Sequence, residues 1–210
     1  MDKSKKFWNR IADYYSKRPV ADEASYQKKL QVTRDYFRQD MEVLEFGCGT
    51  GTTAVSHAPH VKHILALDIS SRMIEICREK AESAKIDNIT FQCSSFDEFS
   101  ARDASFDAIL ALNILHLMEN WEDVITRVHK LLKPGGIFVT STPCIGDTIF
   151  RLFKYVAYIG NIFGVLPRLT VITEKQLEKS ITGAGFAIEY QWRPGKNAAV
   201  FIVAKKVQGG

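Results

Sequence analysis

The chain has 210 residues, 46% apolar and 25% charged, enough for one sizeable buried core but short for two full domains. Its net charge of +4 comes from 28 basic and 24 acidic residues interspersed along most of the sequence, which disfavours a nucleic-acid partner. The four cysteines show no metal-ligand spacing, and the basic N-terminus lacks the apolar stretch of an export signal. We therefore expect a cytoplasmic protein with reduced thiols.

Apolar, strand-like runs alternate with helical patterns through the first two thirds of the chain. Helices are predicted to begin near Thr52, to run from Ser70 to about Lys85, and to run from Trp121 to Leu132. The strand-like runs are 43–46, 63–68, 88–93, 106–112 and 136–142. Such nearly unbroken apolar runs are typical of strands buried on both faces, so the alternation predicts a parallel sheet with helices on both sides.

The last third departs from this alternation. Residues 144–172 form an aromatic, apolar insertion. Thr173 is predicted to cap a helix that ends near Ala184, because TEKQ has the form of a capping box. The runs 185–192 and 197–206 are separated by RPGK, whose turn chemistry predicts an antiparallel hairpin.

The elements together predict an α/β fold with a seven-stranded, mostly parallel sheet, helices on both of its faces and a C-terminal antiparallel hairpin. We expect one domain over residues 1–210, with an N-terminal helical segment at 1–40. The insertion at 144–172 is expected to form an apolar cap.

Three alternate glycines follow the first predicted strand, in EFGCGTG at 45–51. The dinucleotide fingerprint GxGxxG requires a third glycine where this chain has Thr52. Asp68 ends the second strand, where an acid can bind the hydroxyls of a ribose in a dinucleotide or in another adenosine ligand. Glu45 precedes the glycines, and its charge would repel a pyrophosphate and attract a cationic ligand. Alternatively, the glycines serve only a tight turn and Asp68 only caps a helix.

Five motifs in order resemble the class I S-adenosylmethionine-dependent methyltransferases, in particular the small-molecule branch with type 11-like domains. They are EFGCGTG (45–51), ALDIS (66–70), FQCSSFDEF (91–99), SFDAILALNILHLMEN (105–120) and LLKPGGIFV (131–139). The resemblance covers roughly residues 35–205 and implies a Rossmann-like fold whose last hairpin adds a seventh strand. It also implies S-adenosyl-L-methionine as cofactor and S-adenosyl-L-homocysteine as product.

The resemblance implies a set of cofactor-binding residues. These are Tyr15, Glu45, Gly47, Cys48, Gly49, Gly51, Asp68, Ile69, Met73, Ser95, Phe96 and Asn113. The residues from 45 to 51 would line the methionine part, Asp68 would bind the ribose, and Ile69 and Met73 would flank the adenine. Asn113 would meet the sulfonium end. Tyr15, or its neighbour Tyr14, would contact the cofactor from an N-terminal helix that closes over it, and packing of that helix is the alternative role for these tyrosines.

The third motif departs from the family pattern. The family commonly places an aspartate and a small residue where this chain has Ser95 and Phe96. The serine oxygen can still accept a hydrogen bond from the adenine amino group, and Phe96 can offer its backbone N–H. The alternative is that Phe96 belongs to the core.

His116 is the candidate for a catalytic base, because it lies three residues beyond Asn113 at the end of the fourth strand. A structural role for His116 is the alternative, since the family often has a structural histidine in this stretch. His57, His60 and His63 recur every three residues, but Pro59 interrupts any helix between them. No metal site is therefore predicted.

The acceptor is expected to be a small, apolar or aromatic molecule. Residues 113–116 read NILH, whereas amino-methyltransferases of nucleic acids usually carry a [DNS]PPY-type motif there. Thr142 and Cys144 can face the acceptor, although packing is the alternative for Cys144. The alternatives for the activity are a protein methyltransferase, an NAD(P)-dependent oxidoreductase and a non-catalytic cofactor-binding subunit.

Four interpretations of the insertion at 144–172 remain open. It can be a lid over the acceptor, a dimer contact, part of the core, or a membrane-surface patch anchored by Arg151, Lys154 and Arg168. It is too short between its charges to span a bilayer. We expect no transmembrane segment, and a monomer or a homodimer.

Overall fold

The structure is a computed structural model that describes residues 3–148, 166 and 169–207. It divides into two compact units, Met1–Ser100 and Ala101–Gly210. Each unit contains several strands of sheet together with the helices that connect them.

The first unit contains a three-stranded parallel sheet in the order β3-β2-β1. Its elements are α1 (Lys3–Ser16), α2 (Glu23–Arg34), β1 (Glu42–Phe46), α3 (Thr52–His57), β2 (His63–Asp68), α4 (Ser71–Ser83) and β3 (Ile89–Cys93). Glu45 lies opposite Ala66, and Asp68 lies opposite Cys93. Because the strands are parallel, their carboxyl ends lie at the same edge, where α3 and α4 begin.

Helix α4 joins β2 to β3 and packs against α1. Its N-cap is Ser70, whose side-chain oxygen accepts a hydrogen bond from the N–H of Met73 at 3.1 Å, as the sequence predicts for a helix beginning there. Met73 and Ile76 on its buried face form an apolar cluster with Ala12 of α1, and Trp8 packs on this cluster.

The second unit contains strands in the order β4-β5-β7-β6. Its elements are β4 (Phe106–Leu112), α5 (Trp121–Leu131), β5 (Leu132–Thr142), α6 (Glu174–Gly183), β6 (Phe186–Trp192) and β7 (Val200–Lys206). Strands β4 and β5 are parallel, whereas β7 is antiparallel to both β5 and β6. The predicted fold class is confirmed, with seven strands in a mixed sheet in the described part of the chain.

Two helix and strand boundaries show how local chemistry set these elements. Thr173 caps α6 through a complete capping box with Gln176, as predicted. Strand β5 begins at Leu132, four residues before the predicted start, because Leu132 pairs with Phe106 across an irregularity in the register. The Lys-Pro-Gly sequence after Leu132 predicts the end of α5. It does not predict that Leu132 pairs with Phe106.

The insertion lies mostly outside the described residues, which omit 149–165, 167 and 168. Arg151, Lys154 and Arg168, and with them the four interpretations of the insertion, therefore stay predictions. Its described ends are joined by the hydrogen bond from Gly146 N–H to the carbonyl oxygen of Ile172, at 3.0 Å. No helix formed by the described residues has the length and apolar character needed to cross a membrane.

Candidate functional site

The alternate glycines form the turn between β1 and α3. Gly47, Gly49 and Gly51 have φ angles of 68°, 54° and 72°, in the left-handed region that glycine adopts without steric cost. The turn closes through a hydrogen bond from Gly51 N–H to the carbonyl oxygen of Cys48, at 3.0 Å. The glycines thus form a tight turn, and whether they also admit a ligand depends on what surrounds each of them.

Gly49 and Gly51 have different surroundings. A Cβ at Gly49 would meet no atom within 4 Å, whereas a Cβ at Gly51 would lie 2.8 Å from the Sγ of Cys77. Gly51 therefore permits packing of the turn on α4. Gly49 faces open space that a ligand can approach closely.

This difference predicts distinct effects for alanine at the two positions. Gly51→Ala should lower the free energy of unfolding by about 2–5 kcal/mol, because the left-handed conformation costs about 1–2 kcal/mol and overpacking adds about 1–3 kcal/mol. Gly49→Ala should cost only the first of these and should weaken ligand binding instead. Urea unfolding and calorimetric titration with S-adenosylhomocysteine measure the two effects.

Gly183→Ala is the matched control, since Gly183 lies in α6 and a Cβ there meets nothing within 4 Å. It should leave binding unchanged and stability equal or slightly higher. Equal losses of stability for Gly49→Ala and Gly51→Ala would show that the surroundings of the two glycines do not matter.

Asp68 holds the glycine turn against β2. One carboxylate oxygen accepts a hydrogen bond from Gly49 N–H at 2.9 Å, and the other accepts one from Ser70 N–H at 2.9 Å. Burial raises the pKa of Asp68 to about 6, although the N–H groups of Ser70, Gly49 and Ile69 act in the opposite direction. Asp68 thus stabilises the turn through these two hydrogen bonds. The remaining lone pairs of its carboxylate can accept further hydrogen bonds.

Glu45 is a buried carboxyl group next to Asp68. Glu45 lies in β1 and is 2% exposed. The atom Oε2 has no hydrogen-bond partner within the described part of the chain. Burial, together with the charge of Asp68, raises the pKa of Glu45 to about 8. A buried, unpartnered carboxyl oxygen is costly, and a cation bound nearby would compensate for this cost.

The raised pKa of Glu45 changes one step of the sequence interpretation. At pH 7 the isolated carboxyl group is mostly protonated, so its repulsion of a pyrophosphate is weaker than a carboxylate would produce. A bound cation has the opposite effect, because it favours the carboxylate form and lowers this pKa. Glu45 therefore favours a cationic ligand through the proton that it loses when that ligand binds.

Two buried thiols lie at the glycine turn, Cys48 within the turn and Cys77 on α4. The Cys77 thiol donates a hydrogen bond to the carbonyl oxygen of Gly49 at 3.1 Å, and the N–H of Cys48 bonds to the carbonyl oxygen of Leu67 at 3.0 Å. The hydrogen bond with Cys77 and burial raise the pKa of Cys48. Cys77 is absent from the predicted cofactor-binding residues, since no spacing in the sequence indicates that this face of α4 reaches the turn.

The predicted adenine-flanking residues have packed surroundings. Met73 is buried against Ala12, whereas Ile69 is partly exposed. Phe96 is 4% exposed and stacks on Phe46 with ring centroids 4.2 Å apart. Ser95 accepts a hydrogen bond from the N–H of Glu98. In this structure Phe96 belongs to the core and Ser95 caps a turn, and contact of either with an adenine stays a prediction.

Helix α1 is tied to the start of α4 beside Asp68. The side-chain oxygen of Asn9 accepts hydrogen bonds from Ser70 Oγ at 2.7 Å and from Arg72 N–H at 3.2 Å. Tyr15, the predicted contact from this helix, is 48% exposed and packs edge-on against Trp8. Sequence analysis missed Asn9, because its partners are about 60 residues away in the chain.

Asn113 and His116 belong to the second unit. Asn113 follows β4 with a φ of 57°, which asparagine tolerates better than most residues, and its N–H bonds to the carbonyl oxygen of Ser141 at 2.7 Å. Burial lowers the pKa of His116 to about 4, so its ring is neutral at pH 7. Its Nδ1 is buried and has no hydrogen-bond partner within the described residues.

The exit of the insertion binds the turn that carries His116. The N–H of Thr170 bonds to the carbonyl oxygen of His116 at 2.7 Å, and Thr170 Oγ1 bonds to the carbonyl oxygen of Met118 at 2.9 Å. Thr142 and Cys144 are both buried, and the Cys144 thiol bonds to the carbonyl oxygen of Thr142. The structure thus packs these two side chains, and an approach of either to an acceptor stays a prediction.

The spaced histidines have separate surroundings. His57 is fully buried with its ring edge-on to Phe37, 5.0 Å between centroids, and burial lowers its pKa to about 3. His63 bonds to Thr90 Oγ1 at 2.9 Å. Among the described residues, no three His, Cys, Asp or Glu side chains are grouped so that they could hold a metal ion.

Comparison with known proteins shows which family the central part of the chain resembles. Residues 43–136 match the family model described as a methyltransferase domain. They contain the glycine turn, Asp68 and the strands β1 to β4. The resemblance to methyltransferases predicted from the five motifs is confirmed over these residues.

Individual relatives agree with this class. The malonyl-[acyl-carrier protein] O-methyltransferase of Priestia megaterium is 29% identical over 140 residues, which are 66% of this chain and 50% of that protein. The ubiquinone biosynthesis O-methyltransferase of Coxiella burnetii is 30% identical over 132 residues, 61% of this chain and 53% of that protein. The chain spans about half the length of these curated relatives.

A solved structure extends the likeness in fold over nearly the whole chain. The N-methyltransferase NodS from Bradyrhizobium japonicum, in complex with S-adenosyl-L-homocysteine, matches 98% of this chain and 99% of its own, with a TM-score of 0.74. The sequence identity is 15%, so this match shows a shared fold alone.

Proposed function

We propose that the chain is an S-adenosylmethionine-dependent methyltransferase that acts on a small, apolar or aromatic acceptor. The observation that carries this proposal is Glu45, a buried carboxyl group whose Oε2 lacks a partner in the described residues. It lies in the strand that leads into a glycine turn with open space at Gly49. A ligand that brings positive charge close to backbone fits both features.

The residues of the first unit fit this cofactor. S-adenosylmethionine combines an ammonium and a sulfonium group with an adenosine, so its methionine end is complementary to Glu45. Asp68 is the candidate for the ribose hydroxyls, which can donate hydrogen bonds to its remaining lone pairs. Gly49 is the position at which backbone can approach the cofactor without a side chain between them.

When bound, S-adenosylmethionine supplies a methyl group on a positively charged sulfur, already activated for in-line displacement. Alignment of the accepting atom can then supply about 7–11 kcal/mol of the barrier. His116 is the candidate to accept a proton from the acceptor, because its buried Nδ1 has no hydrogen-bond partner among described residues. Its ring is neutral at pH 7, but the burial that lowers its pKa to about 4 also makes it a weak base. A thiolate acceptor would need no such base.

The names of the relatives favour oxygen as the accepting atom, since two of them are O-methyltransferases. One of those names refers to ubiquinone biosynthesis, which agrees with an apolar or aromatic acceptor. We therefore propose phenols, catechols and carboxylic acids as the first acceptors to test.

The proposal is tested with the purified chain in two steps. A thermal-shift assay compares S-adenosylmethionine and S-adenosylhomocysteine with NAD and NADP, and we expect stabilisation by the first pair alone. Methyl-labelled S-adenosylmethionine is then incubated with a panel of the acceptors above. Label in an organic extract is the expected result.

Each alternative has its own outcome in this assay. Stabilisation by NAD or NADP alone would overturn the proposal in favour of an oxidoreductase. Label confined to added protein would indicate a protein methyltransferase. Cofactor binding without transfer to any acceptor of the panel would favour a non-catalytic subunit and count against the proposed reaction.

A further inference from the structure

The net positive charge of the chain is concentrated in α1 and the two residues that follow it. Residues 3–18 contain six Lys or Arg and one Asp, a net charge of +5, whereas the whole chain has a net charge of +4. The single acid, Asp13, forms an ion pair with Arg72 at 2.7 Å. The interspersed charge that describes most of the sequence therefore does not extend to this segment.

The charge lies on a defined face of α1. Lys3, Phe7, Arg10 and Tyr14 recur at spacings of three and four residues, which places them along one side of α1, and Lys17 continues this spacing in the turn directly after the helix. We call these five residues the outer face. Three of them, Lys3, Arg10 and Lys17, are basic, and Asp13, the one acid of the segment, borders this side and is held in its ion pair with Arg72.

The opposite side of α1 packs on the protein. Ala12 is fully buried in the cluster with Met73 and Ile76, and Asn9 bonds to Ser70. These contacts fix the rotation of the helix about its axis. The outer face therefore points away from α4.

The outer face carries one exposed aromatic ring, Tyr14, and one partly exposed ring, Phe7, each next to a cation. Tyr14 is 67% exposed, and the guanidinium of Arg18 lies 5.5 Å from its ring centroid. The guanidinium of Arg10 lies 5.5 Å from the ring centroid of Phe7. Val20, four residues beyond the end of the helix, is 43% exposed.

We propose that the outer face of α1 binds an anionic lipid surface, with Phe7 and Tyr14 in the headgroup region and the basic side chains against the lipid charges. A basic helix with aromatic residues among its cations is typical of helices that lie in a membrane interface. The charge is complementary to anionic headgroups, each Lys or Arg near such a surface contributing about a fivefold factor in affinity. The outer face does not include Glu45, Gly49 or Asp68, and its binding to lipid does not depend on the reaction catalysed.

The test is sedimentation of the full chain with vesicles. Vesicles of phosphatidylcholine mixed with phosphatidylglycerol should bind the protein, whereas pure phosphatidylcholine should not, and added salt should weaken the binding. The triple variant Lys3→Gln, Arg10→Gln, Lys17→Gln, which removes the three cations of the outer face, should bind about a hundredfold more weakly, by the fivefold factor for each charge. Tyr14→Ser should weaken binding several-fold without a change in charge.

A second triple variant provides a matched control. Lys130→Gln, Lys175→Gln and Lys179→Gln remove three exposed charges from α5 and α6, and this variant should bind as the wild type does. Equal weakening by both triple variants would show attraction to net charge alone and would overturn the proposal. Binding that a DNA duplex or an acidic protein abolishes at lower concentration than the vesicles require would also overturn it, in favour of that partner.

Discussion

Glu45→Gln is expected to weaken the binding of S-adenosylmethionine by about tenfold or more at pH 8, equivalent to about 1.4 kcal/mol or more. The glutamine side chain has the shape of the protonated glutamate but cannot become an anion. In the wild type, a bound cation favours the ionised form of Glu45, whose pKa in the free protein is about 8. Cofactor binding should therefore release protons from the wild type at pH 7, and Glu45→Gln should remove this release.

The sign of the pH dependence follows from this proton release. Wild-type affinity should rise with pH up to about pH 8, by at most about tenfold per pH unit for one proton. The ratio of the two affinities isolates Glu45, because titration of the ligand's own amino group affects both proteins equally. Calorimetry in buffers of different ionisation enthalpy measures the protons directly.

The same substitution should change the pH dependence of stability. The pKa of Glu45 is raised in the folded protein from 4.5 to about 8, so the folded state retains a proton that the unfolded state has lost. Its contribution to stability is fully present below pH 4.5 and is lost as pH rises through about 8. Relative to Glu45→Gln, the wild type should lose on the order of 3–5 kcal/mol across this range.

Glu42→Gln is the control for both measurements. Glu42 lies in the same strand and pairs with Lys62 at 2.8 Å, away from the glycine turn. It should alter neither the affinity nor its pH dependence. If Glu45→Gln binds S-adenosylmethionine as tightly as the wild type at every pH, Glu45 is not the group that recognises the cation.

Asp68→Ala is expected to weaken the binding of S-adenosylhomocysteine at least about tenfold, because hydrogen bonds to a charged group contribute about 1.5–3 kcal/mol. Asp68 also holds the N–H groups of Gly49 and Ser70, so a loss of affinity alone does not distinguish a ribose contact from a displaced turn. Asp68→Asn retains one acceptor oxygen and should preserve part of the turn.

A second ligand separates the two roles of Asp68. The 2′-deoxy analogue of S-adenosylhomocysteine lacks one ribose hydroxyl, and the wild type should bind it at least several-fold more weakly. If Asp68 binds the ribose, Asp68→Ala should bind the two ligands nearly equally. A variant that still discriminates between them as the wild type does would restrict Asp68 to the turn. Asp87→Asn, at an exposed position of the same unit, should behave as the wild type.

The sequence alone determined those features that depend on neighbours in the chain. Ser70 and Thr173 cap their helices as predicted, because a cap is formed by residues within three positions of one another. The spaced glycines identify the turn, since left-handed conformations favour glycine. The apolar runs likewise indicate the buried strands, and five motifs in order indicate the methyltransferase class.

Only the tertiary structure decided the features that join distant parts of the chain. Three hydrogen bonds each join two distant segments of the chain: Gly49 N–H to Asp68, the Cys77 thiol to Gly49, and Ser70 Oγ to Asn9. The raised pKa of Glu45 has the same origin, because burial depends on all surrounding residues. The spacing of residues in the sequence does not predict it. The outer face of α1 was likewise defined by packing, since the contact of Ala12 with α4 fixes which side of the helix points outward.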